Sequence, residues 1–201
     1  MVIDNTIQTV IFDLDGTLYN KKGLACRMVC HLWRTLPLLI AERKMRETMS
    51  DKSFETQEAF YHYLFASMAA KTHKTIEEVA RWYHDMYMPT MVRLIGQQPI
   101  RENIVQLLHA CKQKGLQTIL LSDYGCAEEK LKALGIPLEE FDYITDAPSW
   151  GALKPQKALL LLPLLTHCHA NPQTTLFVGD RDDKDGASAR AIGAQFMHVT
   201  N

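Results

Sequence analysis

Two carboxylates one residue apart, Asp13 and Asp15, directly follow an apolar run at residues 10–12. That run is typical of a short buried strand, and Gly16 comes immediately after the second carboxylate. Carboxylates at the carboxyl end of a central parallel strand lie where open α/β sheets bind ligands, and two so close together repel each other unless a cation or a shared proton offsets the charge. The motif therefore indicates a bound cation or a shared proton. The alternative, a strand followed by an ordinary Asp-Gly turn, is weakened by three further motifs.

Those further motifs lie beside later segments of the chain. A strand predicted over residues 117–121 is followed by Ser122 and Asp123, Lys154 precedes a predicted helix, and an acidic loop follows the strand predicted over residues 175–178. Because the carboxyl ends of neighbouring parallel strands meet at one crevice, we expect all four motifs to converge. The expected crevice holds several carboxylates, one hydroxyl and one ammonium: Asp13, Asp15, Ser122, Asp123, Lys154, Asp180 and Asp185.

Helices and short apolar strands alternate from residue 101 onward. The pattern predicts helices over residues 101–114, 127–134, 155–167 and 185–192, and strands over residues 117–121, 143–145, 175–178 and 195–199. Such alternation implies a parallel sheet covered on both faces, with right-handed crossovers. The sequence therefore predicts an α/β fold whose core is a Rossmann-like, doubly wound parallel sheet.

The segment at residues 18–96 carries no convincing strand pattern and is rich in good helix formers. It predicts three helices, over residues 23–48 with a bend near Pro37, 54–70 and 75–87. Pro89 is expected to begin the return of the chain to the sheet. The expected domains are a catalytic core of residues 1–17 and 97–201 and an inserted helical cap of residues 18–96.

Charge, cysteine content and the length of apolar runs limit the classes to which the protein can belong. Among 201 residues, Lys and Arg total 22 against 23 Asp and Glu, so the net charge of -1 gives no general electrostatic reason to bind nucleic acid or an anionic membrane. The five cysteines are scattered without a Cys-x-x-Cys pair, and no secretory start is evident, so a cytoplasmic location is expected. The longest apolar run, residues 158–165, is far shorter than the roughly 20 residues needed to span a bilayer. Monomer and homodimer both remain open.

Taken together, the four motifs resemble those of the haloacid dehalogenase-like superfamily of phosphohydrolases. In chain order they are Asp13-Leu-Asp15-Gly-Thr17, Ser122, Lys154, and Gly179-Asp180 with Asp185. The resemblance covers the sheet region from Thr9 to the end of the chain. Members of the family commonly carry a helical cap just after the first motif, which is where residues 18–96 lie here. An ordered set of four motifs is much more specific than any one of them.

The resemblance assigns a role to each acidic residue. It makes Asp13 the nucleophile that forms an aspartyl-phosphate, and Asp15 the general acid for the leaving alkoxide and then the base for water. It implies Mg²⁺ as the cofactor, held by Asp13, the main-chain carbonyl of Asp15, and Asp180. Asp185 would hold a metal-bound water, although Asp183 competes for that role because the two acids crowd one loop.

Two side chains are expected to bind the phosphoryl group. The resemblance implies that the Ser122 hydroxyl binds a phosphoryl oxygen and that Lys154 holds the developing negative charge while neutralising Asp13. Main-chain N–H groups of Leu14 and Asp123 are further candidate donors.

The expected activity is Mg²⁺-dependent hydrolysis of a small phosphorylated metabolite. Phosphate monoester hydrolysis is very slow without a catalyst, so the site must supply a nucleophile, neutralise the phosphoryl oxygens and protonate the leaving group. Dehalogenase relatives lack an acid at the position of Asp15, so the resemblance favours phosphoryl transfer. The alternatives are a phosphotransferase or phosphomutase on the same site, and a non-catalytic phosphate-sensing protein. No motif in the helical segment names the substrate.

Overall fold

A parallel sheet of five strands lies at the centre of the computed structural model, which describes residues 3–200. The strands are β1 (Thr9–Phe12), β2 (Gln117–Ser122), β3 (Tyr143–Asp146), β4 (Thr175–Gly179) and β5 (Gln195–His198). Their order is β3-β2-β1-β4-β5, and every pair is parallel. The predicted α/β fold is confirmed, and β1 lies in the middle because its uninterrupted apolar run can be buried on both faces.

A block of helices separates β1 from β2 in the chain. It consists of α1 (Leu24–Leu32), α2 (Leu36–Met49), α3 (Gln57–Thr72), α4 (Ile76–Trp82) and α5 (Met88–Ile95), which we call the helical block. The predicted bend near Pro37 is present: a 3₁₀ turn at Trp33–Thr35 separates α1 from α2, and Pro37 lies in the first turn of α2. Proline is tolerated there because a first-turn N–H has no partner within the helix.

The prediction that helical structure ends near Pro89 was wrong. A π-helical turn at Tyr83–Tyr87 carries the chain from α4 into α5, and Pro89 lies in the first turn of α5. A first-turn proline loses no hydrogen bond within its helix, so it begins α5 and does not end the previous one.

The remaining helices flank the sheet. They are α6 (Glu102–Gln113), α7 (Ala127–Leu134), α8 (Leu162–His167) and α9 (Ala187–Ile192). Two of them differ from the predicted bounds at their starts, because π-helical turns at Lys157–Leu161 and Asp182–Gly186 lead into α8 and α9. The second of these turns directly follows β4 and shapes the acidic loop that the sequence singled out.

The chain leaves and returns to the sheet along two adjacent passages. Asn20 N donates to the Pro99 carbonyl at 2.9 Å, and Arg101 N donates to the Leu18 carbonyl at 2.8 Å. These bonds form a short antiparallel ladder between the two connections of the helical block. The division into a core of residues 1–17 and 97–201 and a cap of residues 18–96 stays a prediction.

One helical run among residues 3–200, Leu24–Met49, contains an 18-residue stretch with a mean hydropathy of 1.3, so it could cross a membrane by length and composition alone. In this structure the run is divided by the 3₁₀ turn and carries a buried ion pair between Glu42 and Arg46. Charged side chains are costly inside a bilayer, so the length criterion is weak evidence for a membrane span. The cytoplasmic location stays a prediction.

Candidate active site

The first carboxylate of the sequence motif lies directly beyond the central strand. Asp13 N donates to the Val178 carbonyl at 2.9 Å, which continues the pairing of β1 with β4 by one residue. The side chain of Asp13 is buried. Thr17 Oγ1 donates to Asp13 Oδ2 at 2.8 Å and accepts a hydrogen bond from Asp180 N at 3.0 Å. Thr17 therefore fixes one oxygen of Asp13 and joins the first motif to the fourth.

Lys154 is a buried cation between two carboxylates of the site. Its Nζ lies 2.7 Å from Asp13 Oδ1, 2.6 Å from Asp185 Oδ1 and 3.2 Å from the Leu121 carbonyl oxygen. An ammonium has three hydrogens, so these acceptors satisfy it fully. Burial favours the neutral amine, but Asp13 and then Asp185 outweigh it and raise the pKa of Lys154 well above its usual range. Lys154 is therefore a permanent positive charge between two carboxylates.

The loop that carries Lys154 is anchored on both sides. Asp123 Oδ1 accepts a hydrogen bond from Lys154 N at 2.9 Å, and Lys184 Nζ donates to the Lys154 carbonyl at 3.0 Å. Asp123 thus uses its carboxylate to position the lysine. The sequence had suggested its main-chain N–H as a phosphate donor, and that role stays a prediction.

Three carboxylates form a cluster that could hold a metal ion. One oxygen each of Asp13, Asp180 and Asp185 lies within 4.8 Å of the others. Asp180 Oδ1 is buried and has no hydrogen-bond partner among residues 3–200. A buried carboxylate oxygen without a partner is costly, and hard oxygen ligands suit Mg²⁺. The donor set therefore fits the cation that the sequence implied.

Two glycines allow these carboxylates to approach the backbone. Gly16 has φ +102, and a Cβ there would lie 2.5 Å from Asp180 Oδ2. A Cβ at Gly179 would lie 2.3 Å from the carboxylate of Asp185. Any side chain at either position would displace an acidic residue of the cluster, which explains in physical terms why both motifs contain glycine.

The structure separates the two acids that competed for one role. The π-helical turn at Asp182–Gly186 directs Asp185 inward, where its buried carboxylate contacts Lys154 and accepts a hydrogen bond from Arg181 N at 3.2 Å. The side chain of Asp183 is 64% exposed and pairs with Arg181. Asp185, and not Asp183, therefore lies with Asp13 and Asp180.

Asp15 lies outside the acidic cluster and is held by three donors. Lys130 Nζ lies 2.8 Å from its Oδ2, Ser122 Oγ 3.0 Å from the same oxygen, and Tyr19 Oη 2.9 Å from Oδ1. Burial favours the protonated acid, but Lys130, followed by the hydrogen bonds from Tyr19 and Ser122, lowers the pKa of Asp15 below its usual value. The main-chain carbonyl of Asp15, which the family resemblance assigned to the metal, lies 3.4 Å from Lys21 Nζ.

The pKa of Asp13 is shifted the other way. Burial, and then the nearby Asp185, raises it to about 7, although Lys154 opposes this shift. A divalent cation in the cluster would favour the ionised carboxylate and so lower this pKa. The two carboxylates of the first motif thus differ in protonation behaviour, but in the protein alone the shifts run opposite to the expected roles. Asp15, the expected general acid, has the lowered pKa, and Asp13, the expected nucleophile, has the raised one.

Ser122 is directed at protein groups in this structure. Its buried hydroxyl can donate its one proton either to Asp15 Oδ2 at 3.0 Å or to the Tyr124 carbonyl at 2.8 Å. The same oxygen accepts a hydrogen bond from Tyr124 N at 3.0 Å. Contact with a phosphoryl oxygen would require this hydroxyl to exchange a partner. Its role in binding phosphate stays a prediction.

Lys130 and Tyr19 were not identified from the sequence. Lys130 lies in α7 and is completely buried, yet its helix gives no pattern that distinguishes it from a surface lysine. Tyr19 lies between Leu18 and Asn20, and nothing in that stretch distinguishes a tyrosine of the site from one that packs in the core. The contact of Lys130 with Asp15 depends on how α7 and the end of β1 approach each other in space, which no local spacing encodes. Tyr19 lies four residues after Asp15, and its hydrogen bond is local.

A cavity of about 540 Å³ opens above the acidic groups and extends beneath the helical block. Its lower wall includes Asp13, Asp15, Asp180 and Asp185, together with Lys154. Its upper wall comes from α1, α2 and α5. All four motifs therefore border, or lie directly behind, one cavity of a size typical for small-molecule sites.

Comparison with known proteins identifies the family. A model of the haloacid dehalogenase-like hydrolases matches residues 7–193, so the chain belongs to that family. The resemblance inferred from the four motifs is confirmed. No curated protein matches the chain at a significant level.

Solved structures with the same fold are named for different activities. The 2-haloacid dehalogenase of Pseudomonas syringae pv. Tomato DC3000 is 19% identical with a TM-score of 0.64, over 96% of this chain and 86% of that chain. The HAD-hydrolase YfnB of Bacillus subtilis, bound to magnesium, is 12% identical with a TM-score of 0.66, over 96% and 88%. The HAD phosphatase of Thermococcus onnurineus is 15% identical with a TM-score of 0.58, over 96% and 86%. At these identities the likeness shows the shared fold.

Proposed function

We propose that this hydrolase is a Mg²⁺-dependent phosphatase that cleaves a small phosphorylated metabolite through an aspartyl-phosphate on Asp13. The observation that carries the proposal is the buried Asp13 carboxylate, which Lys154 and Thr17 hold at 2.7 and 2.8 Å beside the acidic pair Asp180 and Asp185. Such a cluster suits a divalent cation, and a divalent cation suits an anionic phosphoryl substrate.

In the first step, a carboxylate oxygen of Asp13 attacks phosphorus. The new bond joins that oxygen to phosphorus, and the bond from phosphorus to the leaving oxygen breaks. Asp13 and Thr17 are already held in place by the contacts described above, so the nucleophile loses little freedom when substrate binds. Lys154 offsets the negative charge shared by Asp13 and the phosphoryl oxygens. Mg²⁺, when bound, would neutralise further charge on the phosphoryl group.

Asp15 is suited to the proton transfers. Its ion pair with Lys130 stabilises the carboxylate, the form that accepts a proton from water when the aspartyl-phosphate is hydrolysed. The first step needs a proton on Asp15 for the leaving alkoxide. Arrival of the phosphoryl anion favours that protonated form, because a like charge nearby raises the pKa of a carboxyl group. Tyr19 fixes the orientation of the second oxygen.

The helical block is proposed to act as a cap. It supplies one wall of the cavity, and its two connections to the sheet lie side by side, which is an arrangement that allows a hinge. A closed cap would limit the access of water during the first step. Opening would then admit the water that hydrolyses the aspartyl-phosphate.

A hydrolytic dehalogenase is the second candidate, because a 2-haloacid dehalogenase shares the fold. In that reaction Asp13 would attack carbon and release halide. Two observations favour phosphatase activity. Halide needs no proton on departure, so the three-donor site around Asp15 would have no evident use. The cluster of three acidic residues also suits a divalent cation that would offset the charge of a phosphoryl group, whereas displacement of halide at carbon has no phosphoryl charge to offset.

The test measures phosphate release from a panel of phosphorylated metabolites and chloride release from 2-chloropropionate, each with Mg²⁺ or with EDTA. The native protein is compared with Asp13→Asn and with Asp183→Asn, which removes an exposed acid from the same region. We expect phosphate release that is lost in EDTA and in Asp13→Asn but retained in Asp183→Asn. Chloride release without phosphate release would establish the dehalogenase. Transfer of phosphate to an added alcohol in place of water would establish a phosphotransferase.

A further inference from the structure

The wall of the cavity that faces the acidic groups is apolar. The helical block presents mainly hydrocarbon and thioether groups there: Leu24, Met28, Val29, Leu39, Ile40 and Met91. Met28 and Met91 are buried, whereas Val29 and Ile40 are 40% and 46% exposed. Exposed branched side chains that border a cavity leave apolar surface available to a bound molecule.

Polar groups on the same wall already have partners. Tyr87 Oη donates to Glu42 Oε2 at 3.1 Å, and Glu42 is also paired with the buried Arg46. Arg43 pairs with Glu47 at 3.2 Å on the exposed side of α2. Hydroxyl groups of a sugar placed against this wall would lose water and find few partners. Each unsatisfied polar group is costly to bury, so the wall disfavours a polyhydroxylated ligand.

Apart from Glu42 and Arg43, which pair with other residues of α2, the charged groups of the cavity lie at its opposite end. The ammonium of Lys154 and the carboxylates of the acidic cluster lie on the sheet side. A ligand that matches both walls has an anionic head and an apolar body. Met28 and Met91 can adapt their shape to such a body, because methionine is unbranched and flexible.

We propose that the substrate is a phosphate monoester of an apolar alcohol, with an alkyl or similar hydrocarbon leaving group lying against α1, α2 and α5. This inference rests on the proposed phosphatase activity. It names the part of the substrate that the helical block recognises, with Ile40 and Val29 as specificity-determining residues. Sugar phosphates are correspondingly poor substrates.

A homologous series tests the inference. We would measure kcat/KM with Mg²⁺ for the n-alkyl phosphates from ethyl to octyl phosphate, with glucose 6-phosphate as the hydroxylated comparison. Burial of one methylene contributes ~0.8 kcal/mol, so kcat/KM is expected to rise about fourfold for each methylene until the cavity is filled. Glucose 6-phosphate is expected to be hydrolysed less efficiently than hexyl phosphate.

Two matched variants test whether the dependence on alkyl chain length arises at the apolar wall of the cavity. Ile40→Gln should lower kcat/KM for octyl phosphate by about tenfold, with a loss that grows along the series. Leu162→Gln replaces an apolar side chain of similar exposure, 42%, that does not line the cavity, and it should leave the series unchanged. Hydrolysis that is independent of chain length, or that favours glucose 6-phosphate, would overturn the inference and leave the phosphatase standing. Absence of Asp13-dependent hydrolysis for every ester would overturn the phosphatase itself, and the inference with it.

Discussion

Lys21 places an ammonium against two oxygens of the expected metal site. Its Nζ lies 2.5 Å from Asp180 Oδ2 and 3.4 Å from the main-chain carbonyl oxygen of Asp15. The side chain of Lys21 is 44% exposed, so it can move away without breaking the core. A positive charge on these oxygens competes with a cation for the same electron pairs.

Lys21→Met should therefore strengthen Mg²⁺ binding. The interaction of a half-exposed ammonium is worth about 1 kcal/mol, which corresponds to roughly fivefold in the dissociation constant. Titration calorimetry with MgCl₂ measures this directly and does not depend on turnover. Lys22→Met is the matched control, since it removes the same charge from an exposed neighbour. Equal Mg²⁺ affinity in the two variants would contradict competition by Lys21.

Lys130 is completely buried and is paired with Asp15, so removal of its charge should destabilise the fold. Lys130→Met leaves a largely buried carboxylate without its cation, and we expect a loss of about 3 kcal/mol in the free energy of unfolding. The double variant Lys130→Met with Asp15→Asn should lose less than the sum of the two single losses, because neither charge remains. Denaturant unfolding of all four proteins gives the coupling energy. Strictly additive losses would show that the pair does not interact.

At the scale of elements, α2 carries two Arg–Glu pairs with the same i,i+4 spacing but opposite burial. Arg46 and Glu42 are buried, and Arg46 also donates to Tyr83 Oη at 2.7 Å and to the Asp123 carbonyl at 3.1 Å. Arg46 further stacks on the ring of Tyr124 at 4.2 Å. The guanidinium thus ties α2 to the loop that follows β2. Arg43 and Glu47 form the exposed pair, with side chains 79% and 64% exposed.

The two pairs should differ strongly in their effect on stability. Arg46→Met leaves Glu42 buried without its cation and removes partners from Tyr83 and Asp123, so we expect a loss of about 3–5 kcal/mol. Arg43→Met should cost less than about 0.5 kcal/mol, because an exposed pair contributes little. Both values come from urea unfolding at the same pH. Similar costs for the two variants would contradict the burial of Arg46.

Strands and helix ends were predicted best where a single sequence signal marked them. The apolar runs of β1, β2 and β4 identified buried strands, and glycines after α7 and α9 marked helix ends with φ of 71 and 76. The π-helical turns had no such signal, because their backbone differs from an α-helix by one extra residue per turn. That is why α5 was missed and why the start of α9 was placed within the acidic loop.

At the scale of the whole molecule, Mg²⁺ should raise thermal stability, since the cluster of Asp13, Asp180 and Asp185 exists only in the folded chain. A free concentration 100-fold above the dissociation constant contributes about 2.7 kcal/mol. For a chain of this size that corresponds to roughly 5–10 °C in Tm. Asp180→Asn should abolish most of the shift, whereas Asp183→Asn should retain it. An equal shift in both variants would place the cation elsewhere.

Topology explains which parts of the site were predictable. Asp13, Lys154, Asp180 and Asp185 were all assigned to one crevice because each belongs to a motif whose place in a parallel sheet is fixed by the strand order. The contact of Asp15 with Lys130 was not predictable, because it depends on side-chain packing between elements far apart in sequence. Tyr19 lies only four residues after Asp15, but that spacing outside a helix does not indicate a hydrogen bond. The apolar upper wall could not be predicted from the sequence either, since no motif marks which faces of α1 and α2 border the cavity.

The most direct test of the central claim is the mass of the peptide that contains Asp13 after rapid quenching of a reaction with Mg²⁺ and a hydrolysed phosphate ester. We expect this peptide to gain the mass of one phosphoryl group in the native protein and to gain none in Asp13→Asn. We also expect heavy-oxygen water to label the released phosphate and not the Asp13 carboxylate. Phosphate release with an unmodified peptide, or label in the Asp13 carboxylate, would contradict an aspartyl-phosphate hydrolysed at phosphorus.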